Sequence, residues 1–539
     1  MGGALRRGRG RSPDLPLRGG GGLPGRPRGL RRHRPPGRRG GRSALRRRAA
    51  ATLPRPDRPG PGDVGEGRLR RPELPAGGPG QGRAAPLLGL RRPYRDGRRH
   101  RRSHRPALPR RRRRRPRLRI LAVRPRGHGG RRRHLARRAG VSPGRPFRLA
   151  PFDRAERGQE LAELLGLAFN FPPEDAPEWW DRGGDDRLRL LLTPDGRLAG
   201  TLLWVPMGHF LGGRAVGCCG VAGVAVAHEF RGRGAATWMM REALREMRAA
   251  GFPLSSLYPS TIRLYRKAGY ELAGHYYTTT LRLREIEGGS HERRVRPLRG
   301  DEMPLVRDLY RRVAVGRHGW LDRDRYLWSR VHRPRLGPAH GFAAEGPDGI
   351  EGYLFFVNQK GEGWKSRMVL TDLVAATPEA GRSLLGLLAG NGTMHEDAVL
   401  HLPPEDPILQ HIPGRTVRSR LEERWMLRVL DPAAAVAARG WPAPLSGRVD
   451  LELLDDLFPE NAGRWTLEVA AGRGELRRAA AGAAGPVLRL DVRSFAQLYA
   501  GYQSAAALAA IGRADGPEET VAAADWLFRG PAPTLPEMF

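Results

Sequence analysis

From Val224 to Ala236 the chain reads Val-Ala-Val-Ala-His-Glu-Phe-Arg-Gly-Arg-Gly-Ala-Ala, residue types whose order suits the capture of a pyrophosphate. A small β-branched run gives way to an Arg/Gly loop, and apolar residues at helical spacing follow. At a helix N-terminus such a loop turns backbone N–H groups outward, lets a phosphate approach at glycine and adds guanidinium charge. Arg231 and Arg233 bring the charge, Gly232 and Gly234 the close approach, and Ala235 and Ala236 open the helix. No Gly-Lys-Ser/Thr follows, so this is not a Walker loop, and the Gly-x-Gly-x-x-Gly of a dinucleotide fold is absent. His228 lies beside the loop, has no part in the motif and reads as a surface residue.

A strand and a helix must hold that loop. Val221–Val226 reads as the strand, and Ala236, Met239, Met240, Ala243, Leu244 and Met247 recur at the spacing of an amphipathic helix that stops before Gly251. Upstream, Leu161–Phe169 reads as a helix and Glu174–Trp180 as a turn and aromatic-rich loop. Arg187–Thr193 and Leu198–Val205 flank Pro194-Asp195-Gly196 as a hairpin. Leu254–Leu257, a helix near Ile262–Ala268 and His275–Leu283 complete a mixed α/β unit.

The layout recurs about 150 residues later. Phe342–Glu345 and Gly352–Val357 flank Pro347-Asp348-Gly349, and Val369–Val374 leads into a helix at Gly381–Leu388. The loop of this copy, Ala375–Ala380, has neither arginine nor a glycine pair and carries Glu379, so the second copy is expected to be structural. A third segment has strands at Val449–Leu453, Arg464–Val469 and Val487–Leu490 and a helical stretch from Phe495 through Ile511, an α+β plan. The expected domains are 1–144, 145–290, 291–430 and 431–539.

The net charge of +41 over 539 residues suggests a nucleic-acid binder, yet it is confined to one end. Residues 1–140 hold 45 Arg, no Lys and 6 acids, whereas the remainder holds 51 basic and 49 acidic groups. The first stretch is almost wholly Arg, Gly, Pro, Ala and Leu. It cannot bury enough apolar surface to fold and is expected to be disordered. Its arginines could hold RNA or DNA phosphates, but three Lys against 93 Arg is the bias of a very GC-rich genome. A nonfunctional leader, with the real start near Val141, is the expectation. The longest weakly polar run, Ala215–Ala227, is too short to span a bilayer, and no signal peptide is evident. Two adjacent cysteines, Cys218 and Cys219, give neither a disulfide spacing nor a metal pattern, so no metal and a reducing, cytoplasmic setting are expected.

Arg231-x-x-Gly234-x-Ala236 behind the Val-Ala-Val strand resembles the acetyl-coenzyme A signature of the GNAT N-acetyltransferases. Pro259-Ser260-Thr261-Ile262-Arg263-Leu264-Tyr265-Arg266-Lys267-Ala268-Gly269-Tyr270 resembles the matching stretch of the Eis (enhanced intracellular survival) branch. The resemblance covers residues 146–539 and implies tandem GNAT folds followed by a sterol-carrier-protein-like α+β domain. It implies that Val224 and Val226 pair with the pantetheine arm through their backbones and that Arg231, Gly232, Arg233, Gly234, Ala235 and Ala236 hold the pyrophosphate. Tyr265 matches the tyrosine that protonates the leaving thiolate. The branch carries its base as a C-terminal carboxylate on Phe, here Phe539, and forms hexamers. An amine must lose a proton before it attacks a thioester, and a thiolate leaves more readily beside a positioned acid, so these roles are chemically coherent.

Phe169, Phe171 and Trp180, with Trp179, are expected to wall the acceptor pocket, and Ser260 to contact substrate. Where Eis enzymes that modify polycationic antibiotics carry acids, this chain has Phe171 and Met538. The expected acceptor is a primary amine: aminoglycoside-like, a lysine side chain, or a smaller, more apolar molecule. Two other readings stand beside the transferase: a nucleic-acid binder acting through residues 1–140, and a lipid or small-ligand carrier centred on residues 433–539. An acetyl-cysteine enzyme is disfavoured, because neither cysteine has a His or Asp pattern nearby in sequence.

Overall fold

The computed structural model describes residues 146–539 apart from 288, 362–364 and 414–416, and the expectations for the first 144 residues lie outside it. Strands β1 (Arg148–Pro151), β2 (Leu188–Leu192), β3 (Leu198–Leu211), β4 (Arg214–Val226), β5 (Leu254–Leu257) and β6 (Glu271–Arg282) form the first sheet segment. Helices α1 (Arg154–Phe169), α2 (Ala176–Gly183), α3 (Ala235–Ala249) and α4 (Ile262–Arg266) pack around it. Pro177 sits in the first turn of α2, where a missing N–H costs nothing, so the stretch read as an aromatic loop is helical. Strand β4 begins seven residues before the expected one. Its Gly217-Cys218-Cys219-Gly220 core lacks strand-forming residues, and Cys218, Cys219 and Gly220 of it are buried.

The second unit contains β7 (Arg294–Pro297), α5 (Met303–Ala314), β8 (Leu321–Asp322), α6 (Arg325–His332), β9 (His340–Gly346), β10 (Gly349–Lys360), β11 (Ser366–Ala375), α7 (Pro378–Gly390), β12 (His395–Leu400) and β13 (Val417–Val429). The expected hairpin and strand–helix step are both present. The pairing of β13 was not legible, since its polar first half, Arg418 to Arg424, hides the strand pattern. It leaves its own unit and inserts between β5 and β6, pairing antiparallel with both. Thr279 to Arg282 of β6 in turn pair with β12. Among the described residues, fourteen strands therefore join into one sheet running through the first and second units.

The third unit has α8 (Pro432–Ala438), β14 (Gly447–Leu454), β15 (Gly463–Ala470), β16 (Arg473–Arg478), β17 (Leu488–Asp491), α9 (Val492–Ala500), α10 (Ala505–Ala510), β18 (Ala514–Asp515), α11 (Glu518–Phe528) and β19 (Thr534–Leu535). The stretch read as one helix is two, because Gly501 (φ +73°) takes the left-handed conformation that ends α9. Strands β14 to β18 make a separate five-stranded sheet. Strand β19 instead crosses back to the first unit and pairs parallel with β6 at His275 and Tyr276. The residues that follow β19 are thereby brought to the first unit's sheet.

Candidate active site

The site is built on a fork between two strands. β4 and β5 pair in parallel at Cys218–Leu254, Cys219–Ser255 and Gly220–Ser256, and no further. β4 then runs on to Val226 along β3 alone, with a bulge where Gly223 and Val224 both face Leu202. Gly223 (φ +57°) supplies the left-handed residue of that bulge, and the Trp179 indole closes over it, filling the space where a Cβ would stand. The Arg231 Nε donates to the Val226 carbonyl at 3.1 Å, tying the loop that follows to the end of β4.

The fork opens onto the Arg/Gly loop. Gly232 (φ +74°) and Gly234 (φ +83°) both lie in the left-handed region with open space around their Cα atoms, so backbone conformation is what requires glycine there. Helix α3 starts at Ala235 without a side-chain cap and without an acid in its first turn; its first intrahelical bond runs from Trp238 N to Gly234 O. The preceding N–H groups are those a helix leaves unsatisfied, and they present the positive end of the helix dipole. Ala235, Met239, Met240, Ala243, Leu244 and Met247 are buried against the sheet, about 1.5–3 kcal/mol for each Met or Leu, and fix the loop's direction. His228 is exposed, as read from sequence.

The two sheet faces separate the expected catalytic groups. Tyr265 is on the α3 face, 3% exposed in a cluster with Cys219, Val221, Met239 and Tyr270. Helix α4 is a single short turn ended by Gly269 (φ +89°), and the Tyr265 carbonyl accepts from Ala268 and Tyr270. Burial raises the phenol's pKa above its ordinary value, opposed by a hydrogen bond with Ser260, so it stays a proton donor through the neutral range. Ser260 is itself exposed, and its contact in this structure is to that phenol.

On the opposite face the Phe539 ring rests against Gly220, where the fork begins, and against Tyr258 at 5.5 Å between centroids. Tyr258 meets Tyr276 at 5.8 Å, and Tyr276 stacks on His401 at 4.7 Å. Burial lowers the pKa of His401, keeping the imidazole neutral. Phe169, Phe171 and Trp179 are half-buried on the core of this face. Trp180 instead packs inside it, 2% exposed, against Phe152 and under the Arg154 guanidinium. Tyr258, Tyr276, Met207 and Gly220 were not singled out from sequence. Only the assembled sheet, in the order β3-β4-β5-β13-β6, brings them together.

The structure also brings a histidine near the cysteines, which sequence spacing hid. Cys218 Sγ lies 3.4 Å from Ser256 Oγ, which donates to His209 Nε2 at 2.9 Å, while His209 Nδ1–H donates to the Gly319 carbonyl. Burial pushes the Cys218 thiol up to about 12 and His209 down to about 4. Cys219 is likewise raised. Both thiols are free, buried and protonated, the reverse of an activated nucleophile. Among the described residues, no group of three His, Cys, Asp or Glu is placed to hold a metal, and no helix is long and apolar enough to cross a membrane.

Two GNAT folds sharing a sheet, followed by a sterol-carrier-like domain, define an acyltransferase. Acetyltransferase (GNAT) domain families match residues 154–273 and 319–429, and a sterol carrier protein domain family matches 432–536. An uncharacterized N-acetyltransferase of Streptomyces coelicolor is 30% identical over 319 residues, covering 56% of this chain and 76% of that protein. N-acetyltransferase Eis of Mycobacterium tuberculosis is 27% identical over 341 residues, covering 59% and 80%. The crystal structure of a GCN5-related N-acetyltransferase from Anabaena variabilis superposes with a TM-score of 0.69 at 28% identity, over 73% of this chain and 100% of that one. The chain belongs to the Eis-like N-acetyltransferases.

Proposed function

We propose that this protein transfers an acetyl group directly from acetyl-coenzyme A to a primary amine across the β4–β5 fork. The observation that carries this reading is the fork itself, with a phosphate-suited loop at its mouth, Tyr265 on one face and Phe539 on the other. The coenzyme supplies an activated thioester. The N–H groups before Trp238, with Arg231 and Arg233, hold its pyrophosphate, and the backbones of Val224 and Val226 bond its pantetheine amides. A carboxylate on Phe539 accepts the proton that the amine loses on attack, as the C–S bond breaks. Tyr265 donates its hydroxyl hydrogen to the departing sulfur. With a phenol above 10 and a thiol near 8.5, full transfer is uphill by about 2 kcal/mol or more, so its main contribution is a hydrogen bond to the developing charge.

The acceptor side is aromatic: Trp179, Tyr258, Tyr276, His401 and Phe539. Such a wall favours an amine on an apolar body, and its ring faces attract the ammonium form before deprotonation. The same reading carries a cytoplasmic setting, in which both thiols stay free, and a homo-oligomer, a hexamer by the resemblance. A calorimetric titration with acetyl-coenzyme A, followed by thiol release over a panel including an aminoglycoside, a lysine peptide and an arylalkylamine, tests it. Binding together with release by one amine class supports the reading. No binding and no release would leave Arg231–Ala236 as a helix-capping turn and overturn it.

A further inference from the structure

The segment that delivers Phe539 is tied to the second GNAT fold by a buried ion cluster. Arg323, between β8 and α6, has a side chain only 1% exposed. Its Nε donates to Glu537 Oε1 at 2.6 Å, and its two terminal nitrogens donate to both oxygens of Asp372 on β11. The guanidinium lies 3.9 Å from the ring centroid of Tyr310 and 4.9 Å from that of Trp328. Asp372 is held in turn by the Tyr353 hydroxyl at 2.8 Å and its neighbour's N–H. Glu537 is buried, and its own carbonyl accepts from the Tyr258 hydroxyl at 2.8 Å. All five donor directions of a guanidinium are fixed by its plane, so an Arg locked by two carboxylates and two rings sets the position of whatever it binds.

We infer that Arg323 is a positioning residue: backed by Asp372, it clamps Glu537 and so holds Phe539, two residues on, against Gly220 at the fork. The inference rests on the proposed role of Phe539. It gives the second fold, whose Ala375–Ala380 loop lacks the features of a phosphate site, a part in the reaction. The alternative is that the β19–β6 pairing and the Pro533 carbonyl bond to His275 N–H hold the segment alone. The two differ in what happens when one charge is removed from the cluster.

The test is Glu537→Gln in the full chain, with Glu537→Asp as the conservative partner. Arg323 keeps Asp372 in both, so the second fold is not left with an unpaired buried charge. Carboxypeptidase release of Phe539, followed by mass spectrometry, reads docking of the segment independently of activity. Release at least tenfold faster in Glu537→Gln, with kcat down at least tenfold and the coenzyme KM within twofold, is expected; Glu537→Asp recovers part of both. Release within twofold of the parent would overturn the clamp, as would a fall in kcat without faster release. Should the parent show no transferase activity at all, the proposed function fails, and the release rates still decide whether the clamp exists.

Discussion

Gly220 stands where the fork opens, and an added methyl there tests whether the position of Phe539 matters. Its backbone is extended, so alanine brings no conformational strain. The new Cβ would stand 2.9 Å from Cε2 and 3.1 Å from Cδ2 of the Phe539 ring, and 2.9 Å from Met207 Cε. Ordinary contact begins at 3.4 Å, so the ring must retreat by about 0.5 Å while the flexible Met207 end turns aside. Misplacement by 1 Å costs on the order of a hundredfold in a positioned reaction, so half of that predicts a kcat loss of about tenfold. Stability falls modestly: a buried methyl gains about 0.8 kcal/mol against an overpacking cost of roughly 1–3 kcal/mol, a net loss of about 0.2–2 kcal/mol. Steady-state kinetics should therefore show Gly220→Ala with kcat down about tenfold, the coenzyme KM within twofold and a modestly lowered melting temperature. Parental kcat in a folded Gly220→Ala protein would refute the argument that the ring must sit where it does.

Tyr265→Phe should lower kcat by roughly 10² or more with coenzyme affinity retained, and no loss of parental activity from this phenol should appear below pH 10, because burial raises its pKa. Arg231→Ala removes the bond to Val226 and a charge proposed to hold the pyrophosphate, and should raise the coenzyme KM about tenfold, with a weaker salt dependence of binding than the parent. His209 and His318 are each lowered to about 4 by burial, and each neutral ring is hydrogen-bonded through both nitrogens. The unfolded chain then binds more protons between about pH 6.5 and 4. Stability should be full above that window and fall through it by up to about 3 kcal/mol per histidine, measured as a falling urea midpoint from pH 7 to 5.

Local structure was legible where it was written in consecutive residues. The Arg231–Ala236 loop, its strand and its helix could be read because glycine conformation, charge and 3.6-residue spacing are local properties. The repeat of the fold was legible because the Pro-Asp-Gly turns recur. What escaped depends on distant pairing. The insertion of β13 between β5 and β6 joins strands more than 130 residues apart. The contact of Phe539 with Gly220 spans most of the described chain, and a glycine within a strand does not announce that a ring will rest on it. Trp179 and Trp180 are equivalent by composition; the helical geometry of α2 sends one over Gly223 and the other into the core. Arg323 had no local signal either, since Asp372 and Glu537 meet it only after both GNAT folds have formed.

The central claim is direct transfer across the fork, and a time course of thiol release from acetyl-coenzyme A tests it most directly. The protein is incubated first without and then with an amine, and its intact mass is recorded throughout. The account predicts no release above background and no mass gain before the amine, then release matching the acetylated amine formed. A burst of thiol before the amine, with an acetyl group retained on the protein at Cys218 or Cys219, would contradict it.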